Sequence, residues 1–204
     1  MPRTPAAPRQ YAKTPGQRTR ILDAAMEVFA QRGGRGSSLR EIAERVGMSQ
    51  AGVLHHFGSK SALLLAVLER LDREDQPEGP LETLEDGVAF VRRELERGLE
   101  RPGLFELQVT LTAESIDPEH PAHAFFVERY ERVARQFTGP LQEAADRGTL
   151  REGVDPAALA HLVMAALDGL QLHHCVNEDV DIMAAFDLLL DTLTETLVAR
   201  PAGA

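Results

Sequence analysis

Cysteine is nearly absent from this sequence, which contains one, Cys175, among 204 residues. A single cysteine forms no internal disulfide and leaves no cysteine framework for a metal ion. Runs of 18 or more apolar residues are missing as well, so no membrane-spanning helix is expected. The first twenty residues carry five basic groups without the apolar segment of a secretory signal. These absences favour a cytoplasmic protein with no membrane partner, no bound metal and no cofactor.

Strand patterns are absent too, because no segment alternates apolar and polar residues with β-branched or aromatic enrichment. Hydrophobic residues make up 43% of the chain and charged residues 26%, which is ordinary for a globular protein. Apolar residues recur instead at spacings of three and four. The sequence therefore predicts an all-α fold with helices over these ranges: 15–33, 39–46, 50–57, 60–75, 81–100, 103–115, 121–147, 156–175 and 181–199.

Breaks between these helices divide the chain into regions. Three glycines within 33–36 predict a turn after the first helix, and prolines and a glycine within 76–80 predict a linker. Residues before the first helix include three prolines and several basic groups, which is typical of a flexible arm. We expect four regions: a basic arm (1–14), a three-helix head (15–62), a connecting helix with the linker (63–79) and a helical body (80–200).

Charge is distributed unevenly along the chain. Residues 1–60 carry ten basic and four acidic groups, whereas residues 61–204 carry 12 basic and 28 acidic groups. A polyanion such as nucleic acid is therefore attracted to one end of the molecule and repelled by the other. Two interpretations remain open on charge alone: the basic end binds nucleic acid, or it is a basic tail on an acidic protein.

The second and third predicted helices have the features of a helix-turn-helix. Ala43 allows a close helix crossing, Gly47 accepts the positive φ of the turn, and Met48 supplies its apolar contact. Outward residues at the start of the third helix must be small or hydrogen-bonding to enter a major groove ~12 Å wide. Gln50 has the groups to pair with adenine, and Ala51 has a methyl to contact thymine. The expected base-edge residues are Ser49, Gln50, Ala51 and Gly52.

A set of segments keeps its spacing across the first three helices. They are Ile21-Leu22-Asp23-Ala24-Ala25 to Phe29-Ala30, Gly33, Ser37 to Ala43, Val46-Gly47-Met48-Ser49, His56-Phe57-Gly58-Ser59-Lys60 and Leu63-Leu64. Together they resemble the TetR (tetracycline-repressor-like) family over roughly residues 17–64. The resemblance implies a helix-turn-helix DNA-binding domain followed by a helical effector-binding and dimerisation domain. It also implies a nucleoid-associated homodimer, usually a repressor, that a small molecule releases from a palindromic double-stranded DNA operator.

The resemblance further implies contacts between the head and DNA. Ser38 would cap the second helix and touch a phosphate, and Arg40 would reach a base or a phosphate. His56 and Lys60 would hold the DNA backbone. An alternative for Arg40 is an ion pair with Glu44, four residues further along the same helix.

One position departs from the family pattern. Leu54 stands where the family usually has a tyrosine, and a leucine donates no hydrogen bond. The phosphate contact is therefore lost there or passes to His55. Leu54 has the alternative of meeting thymine methyls.

The last two predicted helices carry apolar stripes at three- and four-residue spacing. Two such helices from each of two protomers suit a four-helix interface, which would fix the distance between two DNA-reading helices. The alternative is that both stripes face only the core of their own protomer. The candidate interface residues are Leu159, Leu162, Val163, Ala166, Leu170, Ile182, Met183, Phe186, Leu189, Leu190, Leu193 and Leu197.

A small-molecule effector would lie between helices of the body. The candidates are polar residues within apolar stripes: Gln108, Thr112, His123, Tyr130, Asp168 and Gln171. Each has the alternative of being an ordinary satisfied core or surface group. Aromatic residues make up only 5% of the chain, which argues against a pocket for flat stacking ligands. The connecting helix, expected over 60–75, joins head to body and is the predicted lever between effector and DNA.

Two other function classes remain open. Cys175 follows two histidines and would suggest a nucleophilic enzyme, but neighbouring residues on a helix point in different directions and no activating group is evident. An architectural DNA-binding protein or an activator without ligand control is the second alternative.

Overall fold

The computed structural model describes residues 15–36, 38–77 and 79–197. Within these ranges the chain forms nine α-helices, and the prediction of an all-α fold is confirmed. The helices are α1 (Pro15–Gly36), α2 (Leu39–Arg45), α3 (Gln50–Phe57), α4 (Lys60–Glu74), α5 (Leu84–Glu100), α6 (Pro102–Glu114), α7 (His123–Asp146), α8 (Pro156–Val176) and α9 (Ile182–Leu197). The predicted arm (1–14) lies outside the described residues.

The first helix is longer than predicted. It continues to Gly36, through the glycines that predicted a turn at 33–36, so that prediction is wrong. Glycine disfavours a helix by only about 1 kcal/mol per residue, and tertiary packing routinely outweighs so small a preference. The connection to α2 is correspondingly short, because it comprises only positions 37 and 38.

Serine side chains fix the starts of three helices around the head. The hydroxyl oxygens of Ser38, Ser49 and Ser59 each accept a hydrogen bond from the backbone N–H three residues later, at 3.2, 3.1 and 3.0 Å. This is the standard N-cap geometry, which satisfies a donor that the helix itself leaves unpaired. Gly47 has a φ of +67°, so the turn between α2 and α3 uses the left-handed conformation that the sequence predicted.

The other helix ends lie within three residues of their predicted positions, apart from the end of α9, beyond which the chain is not described. The largest difference is at α5, which begins at Leu84 instead of residue 81. A capping box sets this start. The Thr83 hydroxyl accepts from the Asp86 backbone N–H at 3.1 Å, and the Asp86 carboxylate accepts from the Thr83 backbone N–H at 3.0 Å.

The hydrophobic core of the head continues into the body. Phe29, Ile42 and Val53 belong to the same cluster of buried side chains as Leu107 and Leu111 of α6. The helix α1 packs along α6 as well as against α2 and α4. The head is therefore supported by α6 in addition to the connecting helix α4.

A second cluster forms the core of the body. It joins Val91 and Leu95 of α5 to Phe105 of α6, Leu167 of α8 and Phe186 of α9. In the described part of the chain, no single helix is long and apolar enough to cross a membrane. The helices α3 and α4 meet the length and composition requirement only as a pair bent by 62°.

Candidate DNA-binding surface and effector cavity

The outward face of α3 carries the residues that the sequence predicted for base contacts. Ser49, Gln50 and Ala51 are exposed, and Gly52 is half-buried. On the opposite side of the helix Val53 and Phe57 are buried. Small side chains therefore project from the N-terminal half of a helix whose other face is anchored. Further along the helix, Leu54 is half-buried and His55 is exposed.

The start of α1 holds α3 in place. Arg18 donates a hydrogen bond from Nη1 to the backbone oxygen of His56 at 2.9 Å, and its guanidinium lies 4.2 Å from the centre of the Phe57 ring. Gln17 donates from Nε2 to the sulfur of Met48 at 2.9 Å. Both contacts join residues more than 30 positions apart in sequence, and no local pattern marks them. They fix the orientation of α3 relative to the rest of the head.

Arg40 lies on the outer face of α2. In the structure it forms the ion pair with Glu44 that the sequence offered as the alternative to a DNA contact. Its Nε lies 2.8 Å from a carboxylate oxygen of Glu44, and 76% of the arginine side chain is exposed. An ion pair this exposed is weak because water screens it, so a phosphate can displace it. Ser38 is exposed beside it, while His56 and Lys60 are half-buried. Contact of these four residues with DNA stays a prediction.

A cavity of about 160 Å³ lies among α4, α5, α6, α7 and α8. Four of the six predicted effector residues line it together: Gln108, Tyr130, Asp168 and Gln171. The cavity is also rich in aromatic rings, because it gathers six of the ten phenylalanine and tyrosine side chains of the chain. These are Phe90, Phe105, Phe125, Phe126, Tyr130 and Phe137. The low overall aromatic content was therefore misleading about this site.

Two predicted effector residues do not line the cavity. Thr112 donates from its hydroxyl to the backbone oxygen of Gln108, at 2.9 Å, as serine and threonine side chains within helices commonly do. His123 has Nδ1 at 2.8 Å from the backbone oxygen of Ser115, across the connection between α6 and α7. Both polar groups are satisfied by backbone atoms. Thr112 also forms a side-chain hydrogen bond with Tyr130. Contact of Thr112 and His123 with an effector stays a prediction.

Asp168 is the carboxylate on the α8 side of the cavity. It accepts a hydrogen bond from the Tyr130 hydroxyl at 2.7 Å. Burial raises the pKa of Asp168, while the Tyr130 hydrogen bond and the charge of Arg129 act in the opposite direction. Among the described residues no basic side chain lies within 4 Å of this carboxylate. Burial and the bond to Asp168 raise the pKa of Tyr130, which keeps the hydroxyl protonated as the donor.

The α4 side of the cavity is held by ion pairs. Asp72 accepts from Nε of Arg129 at 3.1 Å and from Nη2 of Arg132 at 2.7 Å. Asp75 accepts from Nη1 of Arg97 at 3.0 Å. These bonds tie the last turn of α4 to α5 and α7. The sequence analysis missed them because the partners are far apart in the chain.

Glu94 also lines the cavity, and its carboxyl group is a weaker acid than that of an ordinary glutamate. Burial, reinforced by the charge of Asp75, raises the pKa of Glu94 to about 7. The charge of Arg97, whose Nη1 lies 3.1 Å from a Glu94 oxygen, acts against this shift. The junction between α4 and α5 therefore contains a carboxyl group that titrates near neutral pH.

The predicted dimer stripes divide between the core and the surface. Leu159, Ile182 and Phe186 are buried within their own protomer, so they present no surface to a partner. Their inclusion in the interface is corrected, because the inward stripe of each helix covers the protomer's own core. Leu162 is 59% exposed. Three apolar residues that the sequence analysis did not select lie exposed on the same two helices: Leu172, Val176 and Leu188.

The surroundings of Cys175 do not favour a reactive thiolate. Burial, together with the charge of Glu106, raises the pKa of Cys175, which is the opposite of what a reactive thiolate requires. Among the described residues, no three histidine, cysteine, aspartate or glutamate side chains lie together where they could hold a metal ion.

An anchored helix-turn-helix with an exposed recognition face, joined to a helical body with an internal cavity, defines a DNA-binding transcriptional regulator that responds to a ligand. Residues 21–67 match the family model described as bacterial regulatory proteins, tetR family. Residues 84–198 match the model described as BetI-type transcriptional repressor, C-terminal. The chain belongs to the TetR family, as its sequence indicated.

Similar proteins span most of the chain. The HTH-type transcriptional repressor KstR2 of Rhodococcus jostii is 27% identical over 177 residues, which cover 87% of this chain and 76% of that protein. The repressor AcnR of Corynebacterium efficiens is 29% identical over 195 residues, which cover 93% of this chain and 96% of that protein. A solved structure described as the molecular basis for control of antibiotic production by bacterial hormones is 32% identical. It has a TM-score of 0.69 and covers 92% of this chain and 100% of that one.

Proposed function

We propose that this protein acts as a homodimeric repressor that binds a palindromic operator and is released from it by a small molecule. The observation that carries the proposal is the N-terminal face of α3, where small and hydrogen-bonding side chains project from a helix anchored by Arg18 and its buried face. A helix with this surface fits a major groove ~12 Å wide. The repressor names of the relatives support the direction of control.

The base-edge contacts are assigned to Ser49, Gln50, Ala51 and Gly52. Ser38, Arg40, His56 and Lys60 are assigned to the phosphate backbone, with His55 as the donor that replaces the family's tyrosine near Leu54. The excess of basic groups in residues 1–60 supports this assignment, because neutralising phosphates supplies most of the affinity of such proteins.

Two protomers assemble through the outer faces of α8 and α9. Leu162, Leu172, Val176 and Leu188 are exposed large apolar residues on these faces. A contiguous patch of exposed apolar residues marks an interaction surface, and these four residues would form one on the paired helices. The four helices of two protomers would then hold two copies of α3 about one DNA turn, ~34 Å, apart.

The cavity is the effector site, and α4 transmits its occupancy. The last turn of α4 and its C-cap residue form part of the cavity wall through Leu71, Asp72 and Asp75. A ligand that changes the position of this turn also changes the spacing of the two heads. By linkage, such a ligand weakens operator binding by as much as its own affinity differs between the two states.

The protein is assigned to the cytoplasm, in association with the nucleoid, because its target is chromosomal DNA. Burial raises the pKa of the Cys175 thiol, which disfavours a nucleophilic role for this residue. An architectural or activating protein without ligand control would lack a function for the internal cavity.

Selection of bound duplexes from a random pool tests this proposal. The expected product is a palindrome whose half-sites are separated by about one helical turn, with affinity that falls steeply as salt rises. Recovery of no enriched sequence at low ionic strength would refute sequence-specific binding. Enrichment of a single half-site without two-fold symmetry would refute the dimeric mode of binding.

A further inference from the structure

The outward face of α3 combines an amide with apolar side chains. Gln50 and Ala51 are exposed, and Leu54 is half-buried. Leu54 follows Ala51 by three positions and Gln50 by four, so all three are neighbours on one side of the helix. Val53 and Phe57, on the other side, are buried in the core of the head. The recognition face therefore presents an apolar pair, Ala51 and Leu54, beside the Gln50 amide.

Leu54 lies outside the core of the head. Half-buried apolar residues such as Leu39 and Met48 pack against that core, whereas in the described part of the chain Leu54 is not among the residues that do so. Part of the leucine side chain is therefore in contact with water in the free protein. Covering this apolar area with another apolar group is favourable in proportion to the area removed from water. Leu54 gains such a contact from a partner that approaches the outward face of α3.

Two other residues at the start of α3 are constrained by their surroundings. The Ser49 hydroxyl oxygen accepts from the Gly52 backbone N–H at 3.1 Å, so it is committed to the helix cap. Gly52 has no side chain, and a Cβ atom there would lie 3.1 Å from the terminal methyl group of Met48. Met48 therefore already covers this part of the helix. Base readout by side chains consequently falls mainly on Gln50 and the apolar pair.

Thymine is the base that an apolar side chain recognises in the major groove. Its C5 methyl group is the apolar group among the base edges there, whereas the other groups are hydrogen-bond donors and acceptors. Against a donor or an acceptor, Leu54 would displace water without replacing its hydrogen bond, which is unfavourable. Leu54 therefore favours thymine in two ways, through contact with the methyl group and through exclusion of the other bases.

Helix geometry relates this contact to the one assigned to Gln50. Four residues rise about 6 Å along an α-helix, and base pairs are stacked about 3.4 Å apart. The side chains of Gln50 and Leu54 are therefore separated by less than about two base-pair steps. A thymine read by Leu54 is expected at this distance from the adenine read by Gln50.

We propose that Leu54 is a specificity-determining residue that reads the C5 methyl group of one thymine in each half-site of the operator. The thymine lies within about two base pairs of the position that Gln50 reads. Ala51 packs beside the same methyl group. This inference rests on the proposed function, because it requires that α3 enters the major groove.

Removal of single methyl groups from the operator tests the proposal. The probe is the most enriched duplex from the random-pool selection, in which each thymine is replaced in turn by deoxyuridine. This replacement removes the C5 methyl group and keeps the base pairing. We expect one thymine in each half-site to be sensitive, with a loss of affinity of about fourfold per half-site, which is typical of one buried methyl-sized group. Retardation titrations with the full chain measure the loss.

Substitutions at position 54 assign the methyl contact to a residue. Leu54→Ala should bind the thymine and deoxyuridine duplexes with nearly equal affinity, because the shortened side chain does not reach the methyl group. Leu54→Met keeps a long apolar side chain and should retain the preference for thymine. The control is Ile116→Ala, an exposed position in the connection between α6 and α7, which should leave both affinity and methyl sensitivity unchanged. Thermal unfolding of each variant verifies that the head is folded.

A second pair of duplexes isolates the methyl group from the rest of the base. The sensitive thymine is replaced by cytosine or by 5-methylcytosine, each paired with guanine. The wild-type protein should prefer the methylated duplex by about the same fourfold factor, since the methyl group occupies the same place in the groove. Leu54→Ala should not distinguish the two duplexes.

Three results would overturn the proposal while the proposed function stands. They are an enriched operator with no methyl-sensitive thymine, a sensitive thymine further than two base pairs from the position that Gln50 reads, and a methyl sensitivity that Leu54→Ala leaves unchanged. Failure of the selection to enrich any duplex is a different outcome. It would refute sequence-specific binding itself, and the role of Leu54 with it.

Discussion

Gln50 is the residue on which sequence recognition depends most directly. It is exposed at the first position of α3, and its amide has the donor and the acceptor that adenine matches in the major groove. We expect Gln50→Ala to relax discrimination at one base-pair position by about 1–3 kcal/mol. Competition binding with operators altered one position at a time measures this change.

The matched control for that substitution is Gln142→Ala, at an exposed position of α7 in the body. It removes the same side chain far from the recognition face and should leave discrimination unchanged. If Gln50→Ala lowered affinity equally for every operator variant, Gln50 would be a backbone contact and the base assignment would be wrong.

Glu94 makes stability depend on pH. Its pKa of about 7 exceeds its ordinary value of 4.5, so between these pH values the folded protein holds a proton at this site that the unfolded chain has released. The free energy of unfolding therefore falls as pH rises through this window. We expect the free energy of unfolding of Glu94→Gln to fall by about 1 kcal/mol less than that of the wild type over this window. The difference is this small because solvent screens a partly exposed carboxyl group. Denaturant unfolding at pH 5 and pH 8 measures it.

Glu96→Gln, at an exposed position of the same helix, provides the comparison and should leave the difference between pH 5 and pH 8 as in the wild type. An equal effect of both substitutions would mean that the pH dependence comes from overall charge instead of from the junction between α4 and α5.

At the scale of single residues, the sequence indicated polar candidates but not their surroundings. Polar groups within apolar stripes are visible in the sequence, and Tyr130 and Asp168 were found in this way. The phenylalanines of the cavity were not found, because an apolar residue in an amphipathic helix has the same pattern whether it fills the core or lines a cavity. Thr112 and His123 form hydrogen bonds to backbone atoms that the sequence pattern does not reveal, and their contact with an effector stays a prediction.

The last turn of α4 is the element that joins the cavity to the head. Asp72 is 14% exposed and accepts hydrogen bonds from two arginines of α7. Asp72→Asn removes the negative charge that compensates the guanidinium groups of Arg129 and Arg132. We therefore expect the free energy of unfolding to fall by about 2 kcal/mol. Urea unfolding at neutral pH measures the change, and repetition in high salt should alter it little because the pair is shielded from solvent.

The control is the exposed ion pair between Arg135 and Glu131, which both lie on α7. Glu131→Gln should change the free energy of unfolding by less than about 0.5 kcal/mol, because exposed pairs contribute little. Equal losses in the two variants would show that α4 is not specifically tied to α7 through Asp72.

At the scale of elements, local signals were sufficient where a cap or a turn residue decides the structure. Ser38, Ser49 and Gly47 predicted the helix-turn-helix, and the structure places each in the expected conformation. The end of α1 was not predictable in this way, because its glycines favour a turn locally but disfavour a helix by only about 1 kcal/mol each. The contacts of Arg18 with α3 also depend on tertiary packing, since they join residues 38 and 39 positions apart.

At the scale of the whole molecule, we expect dimer formation to depend on the outer faces of α8 and α9. Leu188 is 68% exposed on the outer face of α9. In the proposed interface, Leu188→Glu buries an unpaired carboxylate on each side, which is strongly unfavourable. Light scattering should show the mass of one 22.4 kDa chain where the wild type shows that of two, and operator affinity should fall with it.

Ile116, which is 80% exposed in the connection between α6 and α7, offers a control of the same chemistry. Ile116→Glu should leave the dimer intact. Dissociation by Ile116→Glu, with Leu188→Glu still dimeric, would move the interface away from α8 and α9.

The sequence by itself determined the helical fold, the helix-turn-helix and the family, because spacing, caps and turn residues act over a few positions and are written in order along the chain. The tertiary structure decided which apolar stripe faces the core, which residues enclose the cavity, and how α4 is tied to the body. These features depend on contacts between residues far apart in the chain, such as Asp72 and Arg132, which are separated by 60 positions. Helical periodicity assigns a side chain to one face of its helix, but only the packed structure determines what lies opposite that face.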